Sequence, residues 1–324
     1  MQAKKINSQS PFNFFRQIYI ICFSSCYFYR NFKALKRFFF ILFFILFFGP
    51  LSWVLPEIYL TILVLGTGIP HILLGAKNSQ RGLSSSFRVY WKKVIIMILI
   101  PMSLIFGLKF GALGLVFYFA LHHAISETYS YKSFFEKNIF FNFLYFLIVL
   151  SSFLIACRGD FTAYDSLILF CYVVFFLSLL LLLFISKKHF YKLESIKGLL
   201  VSHPWLVLAP FLCLLTIFKP ISWMVLILYH FAFWGMLPLF RSDIFKGNKE
   251  RLNVFWKDAI IWNSLGLLGI GLIVFLSSQF VDFRLFQMII LMFYIATYWH
   301  ISISFIISGS NPEFIKRIFL NKAN

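Results

Sequence analysis

The chain has 324 residues, of which 61% are hydrophobic and 13% charged, with a net charge of +19 and a mean hydropathy of +0.86. Soluble domains carry about 25% charged residues, so an ordinary globular domain is excluded and an all-α, polytopic membrane bundle is indicated. The basic residues lie in short segments between apolar runs, which leaves no folded basic domain to bind nucleic acid.

Residues 1–36 read as a cytoplasmic or interfacial segment. Within it, 12–30 is aromatic and apolar but interrupted by Arg16, a pattern that predicts a helix lying on the membrane rather than through it. Ten apolar spans follow in a single transmembrane domain, 37–308: 37–54, 56–75, 92–107, 109–125, 138–157, 165–186, 204–218, 221–239, 257–278 and 286–308. Spans 92–107 and 204–218 are short for a hydrocarbon core of about 30 Å. The brief links at Pro56–Glu57, Lys109 and Lys219 predict helical hairpins. Residues 309–324 are expected to form a cytoplasmic tail.

With the N-terminus inside, only Lys109, Arg158, Lys219 and Arg284 of 30 basic residues face outward. Glu57, Asp160, Asp165 and Asp282 balance them, so the whole +19 falls on the cytoplasmic side. The positive-inside rule therefore places both termini in the cytoplasm, in a membrane such as the bacterial inner membrane, with the basic loops against lipid headgroups. The five cysteines (Cys22, Cys26, Cys157, Cys171 and Cys213) show no CxxC spacing and read as small apolar fillers.

Histidine is costly in hydrocarbon, and intramembrane ionisable groups default to a functional hypothesis. Here His71, the adjacent His122 and His123, His230 and His300 fall on four even-numbered spans that all run from outside to inside. Their depths converge on the middle-to-cytoplasmic layer. His71 follows Pro70, which breaks the backbone ladder and frees polar groups beside it. His122 and His123 are about 100° apart on a helix, so one is expected to be a ligand and the other a bystander. Glu127, four residues after His123, lies on the same face, where it would orient a ligand imidazole; alternatively it marks the membrane boundary. Tyr229 beside His230, and Tyr298-Trp299 beside His300, predict aromatic walls. His189 and His203 lie in the basic inner loop and read as solvated or headgroup-facing.

A lone membrane histidine is more often a packing residue than a ligand, but several helices contributing imidazole at one depth point to a metal site. His71, His123, His230 and His300 are the favoured ligands, with Glu127 in support. Neutral imidazoles suit iron, copper or zinc. The H-E-x-x-H metalloprotease signature is absent, as are the HxxxH and HxxHH boxes of membrane desaturases. A non-haem iron centre using dioxygen on an apolar, lipid-phase substrate fits better. Two other classes stay open: a haem- or quinone-linked electron-transfer protein, and a cofactor-free transporter with histidines as proton relays.

The segment Gly68-Ile69-Pro70-His71 resembles the Gly-Leu-Pro-His segment of the Brp/Blh-type β-carotene dioxygenases. Chain size, span number and intramembrane histidines are similar to that family over residues 37–308. The resemblance implies oxidative cleavage of a carotenoid by non-haem Fe2+, with His71 carried over directly as a ligand. It makes His122 or His123, His230 and His300 the counterparts of the remaining ligands. After His71 the chain reads Ile72-Leu73-Leu74-Gly75-Ala76-Lys77, where the family has glycine and soon an acidic residue. The segment His122-His123-Ala124-Ile125-Ser126-Glu127 also departs from the family's form. Another apolar polyene is therefore an equal expectation for the substrate.

Overall fold

A computed structural model describes residues 35–87, 90–129, 139–161, 165–190, 203–236, 249–280 and 284–307. The expected interfacial helix at 12–30 and the tail 309–324 lie outside the described residues. Within them, the regular elements are all helical: α1 (35–51), α2 (Glu57–Phe87), α3 (Tyr90–Tyr129), α4 (Ile139–Ala156), a 3-10 turn (Arg158–Phe161), α5 (Asp165–Phe190), α6 (Trp205–Phe218), α7 (Trp223–Gly235), α8 (Lys249–Phe280) and α9 (Arg284–Ile307). Each span read from the sequence is helical over most of its described residues, with non-helical ends such as 52–54 and 221–222.

Crossing a membrane is a stricter condition than being helical. Five described helices are long and apolar enough to do so: α2, α4, α5, α8 and α9. A sixth is added if α3 counts as one span. Helices α6 and α7 have only 14 and 13 residues. At 1.5 Å per residue each covers about 20 Å, short of the hydrocarbon thickness.

The turn expected at Lys109 is present in α3 but lies two residues later. Its two limbs, Met97–Gly111 and Leu113–Thr128, are bent by 119° relative to each other, and the break is at Gly111. Gly111 has φ 51° and ψ −134°, which a residue with a Cβ adopts only under strain. The lysine lies half a turn too early to make the corner.

Two devices set the centre of the bundle. On one side, Pro70 in α2 has no N–H to give the Gly66 carbonyl. There α8 makes its close approach: a Cβ on Gly266 would stand 2.2 Å from the Gly66 oxygen. Small residues at a crossing let helix backbones touch in this way. On the other side, short loops clasp the start of α7. The Trp223 N–H donates to the Asp160 carboxylate (3.1 Å), and the Ile221 N–H to the Ala156 carbonyl (2.9 Å). The Trp53 indole N–H donates to the Pro220 carbonyl (2.9 Å). Two turns beyond this clasp, α7 carries His230. Trp223, Met224, Val225, Ile227, Leu228, Tyr229, His230, Phe231 and Phe233 of α7 are all buried, against α2 and α3 among others.

The outer helices are apolar and exposed, as lipid-facing helices are. Ile260, Leu265, Leu268, Leu272 and Phe275 of α8 are examples. Cys157, Cys171 and Cys213 are buried and unbridged, as expected of apolar fillers.

Candidate functional site

The five span histidines meet inside the bundle, and His230 is their hub. Its ring centroid lies 5.3 Å from that of His71, 5.2 Å from His122 and 5.1 Å from His123. His300 joins through His71, also at 5.3 Å. The cluster draws on α2, α3, α7 and α9. His122, His123 and His230 are buried, whereas His71 and His300 are half-buried, so the cluster has a closed side and a more open one.

Each ring is placed by something specific. His300 lies over Gly75, one turn after His71: a Cβ there would stand 2.7 Å from His300 Cε1. His122 Nδ1 pairs with the Ser304 hydroxyl at 3.2 Å. His123 and His230 face each other through their Nδ1 atoms, 2.9 Å apart, one donating to the other. The surrounding aromatic wall is Phe119 (4.8 Å from His230), Phe231 (4.8 Å from His71), Phe153 (5.1 Å from His123) and Phe305 (5.6 Å from His122).

Both members of the His122–His123 pair therefore belong to the cluster, where the sequence led us to expect one. They straddle the imidazole of His230, and a 100° offset is what two residues on one helix need to do so. The aromatic walls also come from different residues than adjacency suggested. Tyr229 packs its ring on His123 (4.9 Å) rather than on its neighbour His230. Tyr298 stacks on Tyr118 (5.8 Å), away from His300.

Glu127 is buried in the bundle, 2% exposed. Its Oε1 accepts from the Tyr229 hydroxyl at 2.8 Å and lies 3.6 Å from His123 Nε2. Its Oε2 is ion-paired with Arg37 of α1. Arg37 had no signal in the sequence beyond being one more basic residue at a span's inner edge. His203 is a further correction: it is 2% exposed and packed between Phe141 (5.1 Å) and Tyr145 (4.8 Å), neither solvated nor facing headgroups. The His189 side chain lies outside the described residues.

A cavity of about 10 Å3, room for one water-sized molecule, lies beside His123, lined by Val116, Phe119, Ala120, Phe153 and Leu226 among others.

Whether these residues suit a metal ion can be judged from the ring spacing. An imidazole nitrogen about 2.1 Å from an ion puts the ring centroid about 3.2 Å away, so two tetrahedrally placed ligand rings lie about 5.2 Å apart. Four pairs lie at 5.1–5.3 Å, three of them through His230 and one through His71, a distance that packed aromatic rings also adopt. Among the described residues, however, no three His, Cys, Asp or Glu side chains stand ready-made around one ion. The nitrogens of His123 and His230 point at each other. Single pairs of rings in the cluster stand at ligand spacing, but among the described residues no three of them do so mutually, and their nitrogens do not converge on one point.

The chain was compared with known protein families, with curated proteins and with solved structures, and it matches none of them.

Proposed function

We propose that this chain is a membrane-embedded non-haem iron oxygenase acting on an apolar polyene such as a carotenoid, with the iron held by histidines of the α2, α3, α7 and α9 cluster. The observation that carries the reading is the approach of His71, His122 and His123 to His230 at ligand-ring spacing, inside an aromatic wall. In the same reading all ten spans lie within the bilayer of a bacterial inner membrane, α7 being short because it is enclosed by other helices, and both termini face the cytoplasm.

Bound iron would supply activation of dioxygen for attack on a carbon–carbon double bond, both oxygen atoms ending in the two carbonyls formed. The chain's own residues do the rest. His71, His123, His230 and His300 are the favoured ligands, and His122, tied to Ser304, is the alternative on the α3 side. To hold one ion together, His123 and His230 would have to give up their mutual hydrogen bond. The cavity beside His123 suits a diatomic gas and is far too small for a polyene. The substrate therefore approaches from the lipid on the side where His71 and His300 are half-buried, and aromatic contact rather than hydrogen bonding positions it. Tyr229 gives its hydroxyl to Glu127, and in this reading it positions that carboxylate.

The same spacing argues for a bare ion over haem, since a macrocycle needs a slot of several hundred Å3 between its axial ligands. A proton-relay transporter would need polar side chains free to line a path. Asn263, the leading polar residue for that role, gives its amide to the Ala259 carbonyl of its own helix.

The test is expression in carotene-accumulating cells, with metal analysis of the purified chain. About one iron per chain, colour loss and retinal formation, all abolished by His71→Ala and His300→Ala, are expected. A folded, metal-free protein would refute the reading.

A further inference from the structure

We infer that α1 is a helix with two available registers, one turn apart, and that the buried Arg37–Glu127 pair is the latch that selects the register observed. The inference concerns how α1 is seated on the bundle and is independent of the function proposed above.

Residues 39–48 read Phe-Phe-Ile-Leu-Phe-Phe-Ile-Leu-Phe-Phe, a repeat of four residues. Burial follows the repeat: Ile41 and Ile45 are buried, whereas Phe39, Phe43 and Phe47 are exposed. Moving α1 outward by four residues is a screw motion of about 6 Å and about 40°. The motion sets residues 39–44 on positions 43–48, and at all six positions the incoming residue is identical to the one it replaces. Phe40 then takes the place of Phe44, which packs 5.4 Å from the Tyr229 ring. Apolar burial is non-directional and scales with area, so it does not separate two registers this alike. One-turn ratchets of one element past another are an established form of conformational change.

Polar contacts at the two ends make the choice. At the inner end Arg37, 2% exposed, is ion-paired with Glu127 Oε2 and donates to the Glu127 backbone carbonyl at 3.5 Å. The Tyr229 hydroxyl holds the other carboxylate oxygen at 2.8 Å. An outward step would drive the guanidinium into the place of Ile41, which is 0% exposed within the apolar core. An inward step would bring Ile41 to Glu127 and carry the guanidinium a turn away. Either step leaves a buried charge without its partner, which is strongly destabilising. At the outer end, just beyond α1, the Trp53 indole N–H donates to the Pro220 carbonyl at 2.9 Å, and Lys219 Nζ to the Trp53 carbonyl at 3.3 Å. A buried polar pair adds little to stability over an apolar one, and fixing register is its best-attested use.

Oxidative cross-linking reads the register directly, in the full-length chain in membranes with its five native cysteines replaced by alanine. A Cβ on Gly49 would stand 3.1 Å from the Ile221 side chain, so Gly49→Cys with Ile221→Cys reports the observed register. Ile45→Cys with Ile221→Cys reports the register one turn outward. With Arg37, Glu127 and Trp53 intact, only the 49–221 pair should cross-link. Arg37→Leu, Glu127→Gln and Trp53→Phe together remove both ends' contacts without leaving a buried charge, and in that chain the 45–221 cross-link should appear at the expense of 49–221. Trp53→Phe alone keeps the latch and should cross-link as the intact chain does. Where the triple variant does not fold, R37Q/W53F, which keeps a long side chain at 37, is read in its place with the same expected shift. A folded, unlatched chain that cross-links only at 49–221 would overturn the inference, as would a 45–221 cross-link in the intact chain.

Discussion

Gly75→Ala is the smallest perturbation that separates a functional cluster from a packed one. The added Cβ would stand 2.7 Å from His300 Cε1 and 3.5 Å from its Nδ1, against an ordinary contact distance of 3.4 Å or more. The His300 ring must therefore retreat by about 0.7 Å, since α2 is held against α8 at Gly66 and cannot give way. Metal ligands tolerate displacements of only about 0.5 Å before affinity falls, so a loss of at least 10-fold in iron or cobalt binding is expected. Global stability should move much less. Overpacking costs about 1–3 kcal/mol, partly offset by about 0.5–1 kcal/mol from replacing glycine inside a helix. Metal titration and thermal unfolding of the same detergent-purified sample read the two effects separately. Gly269→Ala in α8 is the control, because nothing lies within 4 Å of its added Cβ, and it should bind metal normally. A Gly75→Ala protein that binds metal as tightly as wild type would show that His300 is not a ligand.

Three further outcomes follow from the same geometry. Tyr229→Phe removes a hydroxyl bonded to a buried carboxylate and should cost about 1.5–3 kcal/mol in SDS-driven unfolding from mixed micelles, with iron still bound; loss of turnover with no loss of stability would instead restore a catalytic role. Gly68→Ala would put a Cβ 2.6 Å from Phe293 and 2.7 Å from Phe231, so it should lower the unfolding temperature and loosen the wall around His71; an unchanged temperature would refute the packing described here. Burial, with Glu57 adding to it, raises the Asp160 carboxyl from 3.8 to about 6 despite the Trp223 N–H. A raised acid favours the folded state below about 3.8 and loses that contribution as pH climbs through 6. Asp160→Asn, whose Oδ1 still accepts from Trp223, should therefore unfold at a higher temperature than wild type at pH 8 and at the same temperature near pH 3.5; equal temperatures at pH 8 would contradict the assigned shift.

The sequence revealed the helices because runs of apolar residues broken by charge leave few alternatives in a membrane. It did not reveal which helices are long enough to cross. Span 204–218 was already short in the sequence; 221–239 looked like its neighbours, yet α7 ends after 13 residues. What distinguishes α7 is enclosure by other helices, and hydropathy cannot separate an apolar side chain facing lipid from one facing protein. The corner of α3 was likewise misplaced, because a charge such as Lys109 is a conspicuous loop signal, while the backbone turns at Gly111, where positive φ is cheap.

For the site, the legible part was the part with a chemical cost. Five imidazoles and one carboxylate stand out in spans otherwise made of Phe, Leu and Ile, and all six side chains meet. Arg37 was hidden by its surroundings in sequence, where Lys33, Lys36 and Arg37 are alike as basic residues at a cytoplasmic edge. Only the fold shows that one of them turns inward to Glu127. Gly75 was hidden for the opposite reason, since a glycine's function here is the volume it does not fill, and that is defined by His300 from 225 positions away. Both omissions share a cause. Spacing along one helix predicts which residues share a face, whereas the groups that orient a ligand come from across the bundle. The members of the cluster can thus be guessed from composition and depth, but the groups that surround them follow only from the packing of α1, α2 and α9 around α7.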